Sequence, residues 1–204
     1  MIVDAKDLVI RRGSRTIVSG RSLSVDAGEV VGITGKNGCG KSTLLLAIAG
    51  VLQPTEGVVT IDGHSVWGTT SQRQKSRRLL GYVPEAADPP GFLLGGELWA
   101  MVAGARGTEA PTPSLITALG LDDLRDVALE RMSLGQRRRA CLAAALLGPP
   151  RALILDEPDN GLDTQHAHAL VDLLVAHKRA GHCAIVATHD RELLDRVAAR
   201  EIAF

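Results

Sequence analysis

At 204 residues, 45% of them hydrophobic, the chain is long enough to bury a full core and is most simply one domain with an insertion, which excludes a disordered tail. Twenty-three basic and 23 acidic side chains cancel, so no field over the whole molecule attracts nucleic acid or anionic lipid, and any such contact has to be local. Cys39, Cys141 and Cys183 are odd in number and widely spaced, with no C-x-x-C pair, which argues against a zinc site or a disulfide framework and fits a reducing cytoplasm. Acids between Met1 and Asp7 do not suit a signal peptide. The longest apolar candidate for a membrane span, Ala140 to Leu147, is cut off by Gly148-Pro149-Pro150, far short of the roughly 20 residues a span needs.

In chain order, Leu8-Val9-Ile10 and Leu23-Ser24-Val25 are short β-like runs, each followed by a turn, Arg11 to Ser14 and Asp26 to Gly28. They predict an antiparallel sheet feeding a central strand at Val30-Val31-Gly32-Ile33. That strand meets Gly35-Lys36-Asn37-Gly38-Cys39-Gly40-Lys41-Ser42-Thr43, and the apolar Leu44 to Ala49 then reads as a helix. A strand, a glycine-rich turn and a helix N-terminus together form a phosphate-binding loop: free backbone N–H groups and the helix dipole converge where only an anion suits. Gly35, Gly38 and Gly40 let successive amides surround a β-phosphate, Lys41 reaches the β- and γ-phosphates, and the Ser42 hydroxyl is placed for Mg²⁺. Beyond the turn Gln53 to Gly57, Val58 to Ile61 predicts a strand. The basic run Gln72 to Arg78 is expected to be a solvated helix face, because no aromatics interleave it as nucleic-acid binding would favour.

From Ala86 to Met132 no strand signal appears, and prolines and glycines bracket apolar segments, which predicts a helical insertion. In a chain only 2% aromatic, Phe92 and Trp99 are candidates for a surface that takes a partner helix. Arg139 to Leu147 predicts an apolar helix, and Ala152 to Leu155 a strand buried on both faces of a parallel sheet. Asp156 and Glu157 emerge at its C-terminal end, where α/β folds hold ligands. From there Asp156 supports a Mg²⁺ shell, and Glu157 is the candidate general base for water attacking a γ-phosphate. A helix from Thr164 to Ala180 and a strand from Cys183 to Ala187 repeat the unit, leaving His189 beside the nucleotide site.

These motifs, in this order, resemble those of ATP-binding-cassette nucleotide-binding domains, and the match covers nearly the whole chain. Walker A spans Gly35 to Thr43, the signature is Met132-Ser133-Leu134-Gly135-Gln136, Walker B ends at Asp156, Glu157 is the catalytic carboxylate, the D-loop is Asn160-Gly161-Leu162-Asp163, and His189 is the switch histidine. The resemblance implies an α/β fold: a P-loop NTPase core with a mainly parallel sheet, an N-terminal antiparallel β subdomain and an inserted helical subdomain. The single cassette domain 1–204 would comprise 1–85 and 133–204 as the nucleotide-binding core and 86–132 as the helical subdomain. It further implies ATP and Mg²⁺ as ligands and a second nucleotide-binding domain, homo- or heteromeric, as partner. Each ATP would lie between one Walker A loop and the other chain's Ser133, Leu134, Gly135 and Gln136. An integral membrane permease subunit would place the protein in the cytoplasm, peripheral on the inner face of the cell membrane, with no nucleic acid bound.

Three departures from the family pattern stand out. Arg12 replaces the aromatic that usually stacks on adenine before Gly13, and a guanidinium also stacks on a base. Glu85 replaces the Q-loop glutamine that touches Mg²⁺ and relays to the membrane subunit, and Leu134 replaces a signature glycine. The last two resemble branches that serve multidrug- or ABC-2-type exporters. A soluble cassette of translation, DNA repair or Fe–S assembly is the alternative, but neither a second cassette nor a coiled-coil insertion is present. A GTPase reading lacks an Asn-Lys-x-Asp motif, and little chain follows His189 for a regulatory domain.

Overall fold

In the computed structural model, which describes residues 1–204, a tight turn at Gly13-Ser14 folds β1 (Val3–Arg12) back antiparallel on β2 (Arg15–Val25). Gly13 sits at φ +59°, in the left-handed region that such a turn favours. The chain continues through β3 (Val30–Thr34), α1 (Lys41–Ile48), β4 (Glu56–Ile61), β5 (His64–Ser65), α2 (Thr70–Arg78) and β6 (Leu80–Val83). It then forms α3 (Gly95–Arg106), α4 (Pro113–Ala118), two single 3₁₀ turns and α5 (Leu134–Ala145). β7 (Ala152–Asp156), α6 (Thr164–Arg179), β8 (Cys183–Ala187), α7 (Arg191–Arg196) and β9 (Arg200–Ala203) complete it.

Two sheets result: an antiparallel one in the order β2-β1-β4-β5 and a parallel one in the order β6-β7-β8-β3-β9. β7 and β8 are buried at every position, as expected of strands covered by other elements on both faces. Alternation along β7 divides the interior. Leu153 and Leu155 join a core with α3, α5, α6 and α7, while Ala152 and Ile154 join a second core with α1 and the antiparallel sheet. Each face of the parallel sheet therefore has its own hydrophobic layer, and the strand ends between the two layers are fixed in position.

Two expectations need correction, and one strand was not anticipated. The helix predicted from Arg139 begins earlier, at Leu134, with Ser133 as its N-cap. Ser133 Oγ accepts from the Gln136 N–H at 3.2 Å, and Gln136 Oε1 accepts from the Ser133 N–H at 2.8 Å. This capping box lets a polar, basic stretch start a helix that an apolar-run criterion overlooks. Trp99 is not part of a partner surface: it is 4% exposed in the core, and its indole N–H donates to the Ala140 carbonyl at 3.0 Å. Phe92, by contrast, is 75% exposed. Finally, Arg200 to Ala203, charged and unremarkable as sequence, pair in parallel with β3, and the Phe204 N–H donates to the Thr34 carbonyl at 2.8 Å.

Trp99→Ala removes a large buried side chain and the partner of a buried carbonyl, so it should lower unfolding free energy by about 3–5 kcal/mol. Phe92→Ala should change it by less than about 0.5 kcal/mol. Chemical denaturation of the two variants checks both values.

Candidate functional site

The carboxyl ends of β3, β7 and β8 point the same way, and each delivers one element of the site. β3 runs into the glycine-rich turn, where Gly40, the N-cap of α1, takes φ +113°. A Cβ there would lie 3.1 Å from the Phe204 ring and 3.2 Å from Ile17, so both conformation and space call for glycine. Lys41 opens α1 at only 7% exposure, and its ammonium donates to the Gly35 carbonyl at 2.9 Å.

The same ammonium is 3.3 Å from His189 Nε2, which lies 3.3 Å from Glu157 Oε1. A single ring nitrogen cannot serve both partners: it accepts from Lys41 when bare, or donates to an ionised Glu157 when protonated. Lys41, His189 and Glu157 thus share a proton-dependent contact. Glu157 is 7% exposed, and burial pushes its carboxyl above the ordinary range, with His189 pulling the other way. It also takes φ +46°, a left-handed backbone that a non-glycine residue adopts only where the surroundings impose it. Its N–H donates to the Ala187 carbonyl at 2.7 Å, which continues the β7–β8 ladder and holds it there.

Asp156 is 2% exposed, and Oδ1 has no hydrogen-bond partner. Burial raises its carboxyl above the usual range against the pull of the Ser42 hydroxyl, while Glu85 adds to the rise by repulsion. An orphaned buried carboxylate oxygen between a hydroxyl and a second carboxylate is a donor set suited to a hard divalent cation. The chain has no cluster of three or more metal-ligating His, Cys, Asp or Glu side chains. Mg²⁺ held here would have to be completed by phosphate oxygens and water rather than by an all-protein cage.

These groups face a cavity of about 660 Å³ whose lining is almost wholly polar. Arg12, Asn37, Gly38, Gly40, Lys41, Ser42, Thr43, Glu85, Glu157 and His189 line it, as sequence reading expects of a nucleotide pocket. Gly35, Lys36, Cys39 and Asp156 do not line it. Asn160 of the expected D-loop also lines it, and so do Ile17 and Asp159, which escape sequence reading. Asp159 accepts from the fully buried Thr188 hydroxyl at 2.7 Å, a tie between the β7 and β8 loops that only their adjacency creates. A larger cavity, about 1240 Å³, lies elsewhere and holds no phosphate-loop residue, so donors rather than size mark the site.

The structure does not bring Ser133, Leu134, Gly135, Gln136 or Asp163 into that pocket. Ser133 and the 69%-exposed Leu134 face solvent at the start of α5. Gly135 is glycine for a packing reason: a Cβ would stand 2.6 Å from the Gly161 carbonyl, where the D-loop crosses the signature helix. Arg138, 6% exposed, donates to the Glu85 carbonyl at 2.6 Å and the Asn160 carbonyl at 2.7 Å, joining the Q-loop to the D-loop through α5. Asp163 caps α6 by accepting from the His166 N–H at 2.9 Å.

The family described as ABC transporter matches residues 18–160, from the cavity-lining Ile17's neighbour to Asn160. The chain belongs to the ABC transporter family. It is 35% identical, over 98% of its own length and 87% of the relative's, to a cytochrome c biogenesis ATP-binding export protein of Gluconobacter oxydans (strain 621H). It is 37% identical, over 90% of its length and 68% of the relative's, to a cobalt import ATP-binding protein of Rhodobacter capsulatus. Of some other relatives it spans 60% of the length. The solved structure of an ATP-binding subunit of an ABC transporter superposes with a TM-score of 0.92 at 26% identity, covering all of this chain and 86% of that one. This ABC protein is accordingly a transporter-type ATPase, and these relatives favour that over the soluble translation, repair or Fe–S alternative. No helix is long and apolar enough to cross a membrane.

Burial pushes the Cys141 thiol up to about 11 and the Cys183 thiol up to about 12, which leaves both protonated and slow to react at neutral pH. Half-buried Cys39 lies in the phosphate loop itself. A maleimide should therefore inhibit the ATPase through Cys39, and ATP should protect it. If Cys39→Ala is inhibited as strongly as the parent, a different thiol is responsible.

Proposed function

We propose that this ABC ATPase closes as a head-to-tail pair around two ATP molecules and drives a separate membrane permease, in the export direction. The observation that carries the reading is a division of labour. Lys41, Glu157 and His189 converge on one polar cavity, whereas the capped N-terminus of the α5 signature helix lies outside it, with Ser133 and Leu134 exposed. A helix N-terminus is an anion site, and the anion it suits here is the γ-phosphate held by a second copy's Lys41. Ser133, Gly135 and Gln136 contact that phosphate, and Asp163 meets the partner across the interface. Arg12 and Ile17 flank the base.

Within the cavity, Lys41 exchanges its contact with His189 for the β- and γ-phosphates. Glu157 takes the proton of the attacking water, a role worth about 10²- to 10⁴-fold in rate, and His189 steadies that water and the γ-phosphate. Ser42 and Asp156, with Glu85 beside them, would hold Mg²⁺, which neutralises phosphate charge. Residues 1–85 and 133–204 act as the nucleotide-binding body and 86–132 as the helical subdomain. Glu85 and Leu134, through their resemblance to exporter branches, support the direction.

The larger cavity suits the permease. Tyr82, Pro84, Met101 and Cys141 form apolar walls, and Arg73, Arg77 and Arg78 of α2 line one side without an ion pair. That charge calls for an occupant with an apolar face and carboxylates, a short acidic amphipathic segment on the cytoplasmic side of the permease. Replacing Arg73 and Arg77 together by Glu should release the permease during purification from gently solubilised membranes, with ATP binding retained. Undiminished co-purification rules out this docking face.

Glu157→Gln should keep the Lys41 and Ser42 contacts while removing the proton acceptor, so turnover falls by orders of magnitude and ATP accumulates a closed dimer. Lys41→Ala should prevent dimerisation by weakening phosphate binding. Light scattering with and without Mg²⁺-free ATP reads the mass. A wild-type rate in Glu157→Gln overturns the base assignment, and an inactive but monomeric Glu157→Gln overturns the homomeric sandwich.

A further inference from the structure

We infer that His166 is a positioning residue that locks the D-loop to the signature helix, and that it does so only as the neutral Nδ1–H tautomer. His166 lies in the first turn of α6, half-buried, with its Nδ1 2.7 Å from Asp163 Oδ1 and its Nε2 2.5 Å from Arg139 Nη1. Arginine is a donor only, so Nε2 has to accept, and the ring proton is therefore on Nδ1, donated to the carboxylate. Arg139 in turn gives its Nε–H to the Gly135 carbonyl at 3.3 Å and its Nη1 to the Leu119 carbonyl at 2.6 Å.

A continuous line of hydrogen bonds thus runs from Asp163 of the D-loop through His166 and Arg139 to Gly135 of the signature, with a branch to the end of α4. Gly120 makes room for it. A Cβ there would stand 2.7 Å from both Arg139 Nη1 and His166 Nε2, so the junction is closed around its two nitrogens. The inference rests on the proposed sandwich, in which Asp163 and Gly135 both face the second chain: a fixed distance between them lets two surfaces engage together.

Protonation breaks the lock. It places an N–H on Nε2, pointing at a guanidinium that has no lone pair to receive it, and sets two cations against each other. The charged groups facing His166 are Asp163 at the α6 N-cap and Arg139 of α5, while α4 and its following turn contribute the neutral carbonyls of Leu119 and Gly120. The bond that protonation removes is the one to the signature helix, while the bond to Asp163 survives. Acid therefore loosens the coupling of the two elements, removing the His166 tie while the Arg138–Asn160 bond and the D-loop cap remain.

The test has two readouts. Nitrogen-15 NMR of the wild-type chain at pH 8 should show His166 with Nε2 unprotonated. A proton on Nε2 overturns the proposal. In the Glu157→Gln background, the ATP concentration for half-dimerisation is measured by light scattering from about pH 5.5 to 8, the range in which imidazoles titrate. His166→Ala should raise it about tenfold at pH 8. His166→Gln, whose amide offers both a donor NH₂ and an acceptor oxygen but does not titrate, should recover most of that loss and should weaken less on acidification than its parent. His189 is present in every variant, so the difference isolates His166. Identical acid sensitivity in parent and His166→Gln overturns the proposal. If Glu157→Gln itself stays monomeric at every pH, the sandwich fails for the isolated chain, and the tautomer spectrum alone decides the role of His166.

Discussion

The nucleotide face depends on a buried ammonium. Lys41 is held at the base of a helix with no carboxylate in hydrogen-bond contact: its ammonium meets the Gly35 carbonyl and a histidine nitrogen, and the charges of Asp156 and Glu157 act on it from further off. Burying a cation without a directly paired counter-charge is costly, and a bound phosphate would offset that cost. The rest of the site serves that requirement. The glycine turn aims amides at the same point, Glu157 is raised above its ordinary carboxylate range by burial, and Asp156 keeps one oxygen unsatisfied. Each is a polar group short of its full set of partners beside a common space, an arrangement suited to the phosphates of a nucleotide.

The two-layer core makes such an arrangement stable. Because the parallel sheet is covered on both faces, the ends of β3, β7 and β8 cannot shift independently, and the loops leaving them inherit that rigidity. The left-handed backbone of Glu157 is tolerable for the same reason: its N–H remains bonded to β8, so the ladder supplies what the local conformation costs.

Helix α5 is the other organising element. Three consecutive arginines leave its first turns in different directions: Arg137 to Asp88, Arg138 to the Glu85 and Asn160 carbonyls, and Arg139 to the α4 end and His166. Most of these bonds go to backbone carbonyls, which suits the multiple donors of guanidinium better than an ammonium would. The helix that presents the signature thereby holds together the Q-loop, the D-loop and the α3–α4 segment, and movement of any of these is felt by the others.

The phosphate loop, the buried strand ending at Asp156, the catalytic-carboxylate candidate and the alternation of strands and helices were legible in sequence because each is local. Glycines, a lysine and a hydroxyl at fixed spacing define an anion site within a few residues, and an unbroken apolar run defines a strand covered on both sides. What the tertiary structure alone decided are the relations between segments distant in the chain. Trp99 is core because Ala140 offers its carbonyl, and Arg200 to Ala203 form a strand because β3 has an open edge. Asp159 belongs to the pocket through Thr188, and the helix of the signature begins at a capping box that composition hides. The His166–Arg139 contact joins residues 27 apart in sequence. Spacing along the chain encodes hydrogen bonds only within a turn or two, whereas these contacts depend on how two packed layers bring unrelated loops together.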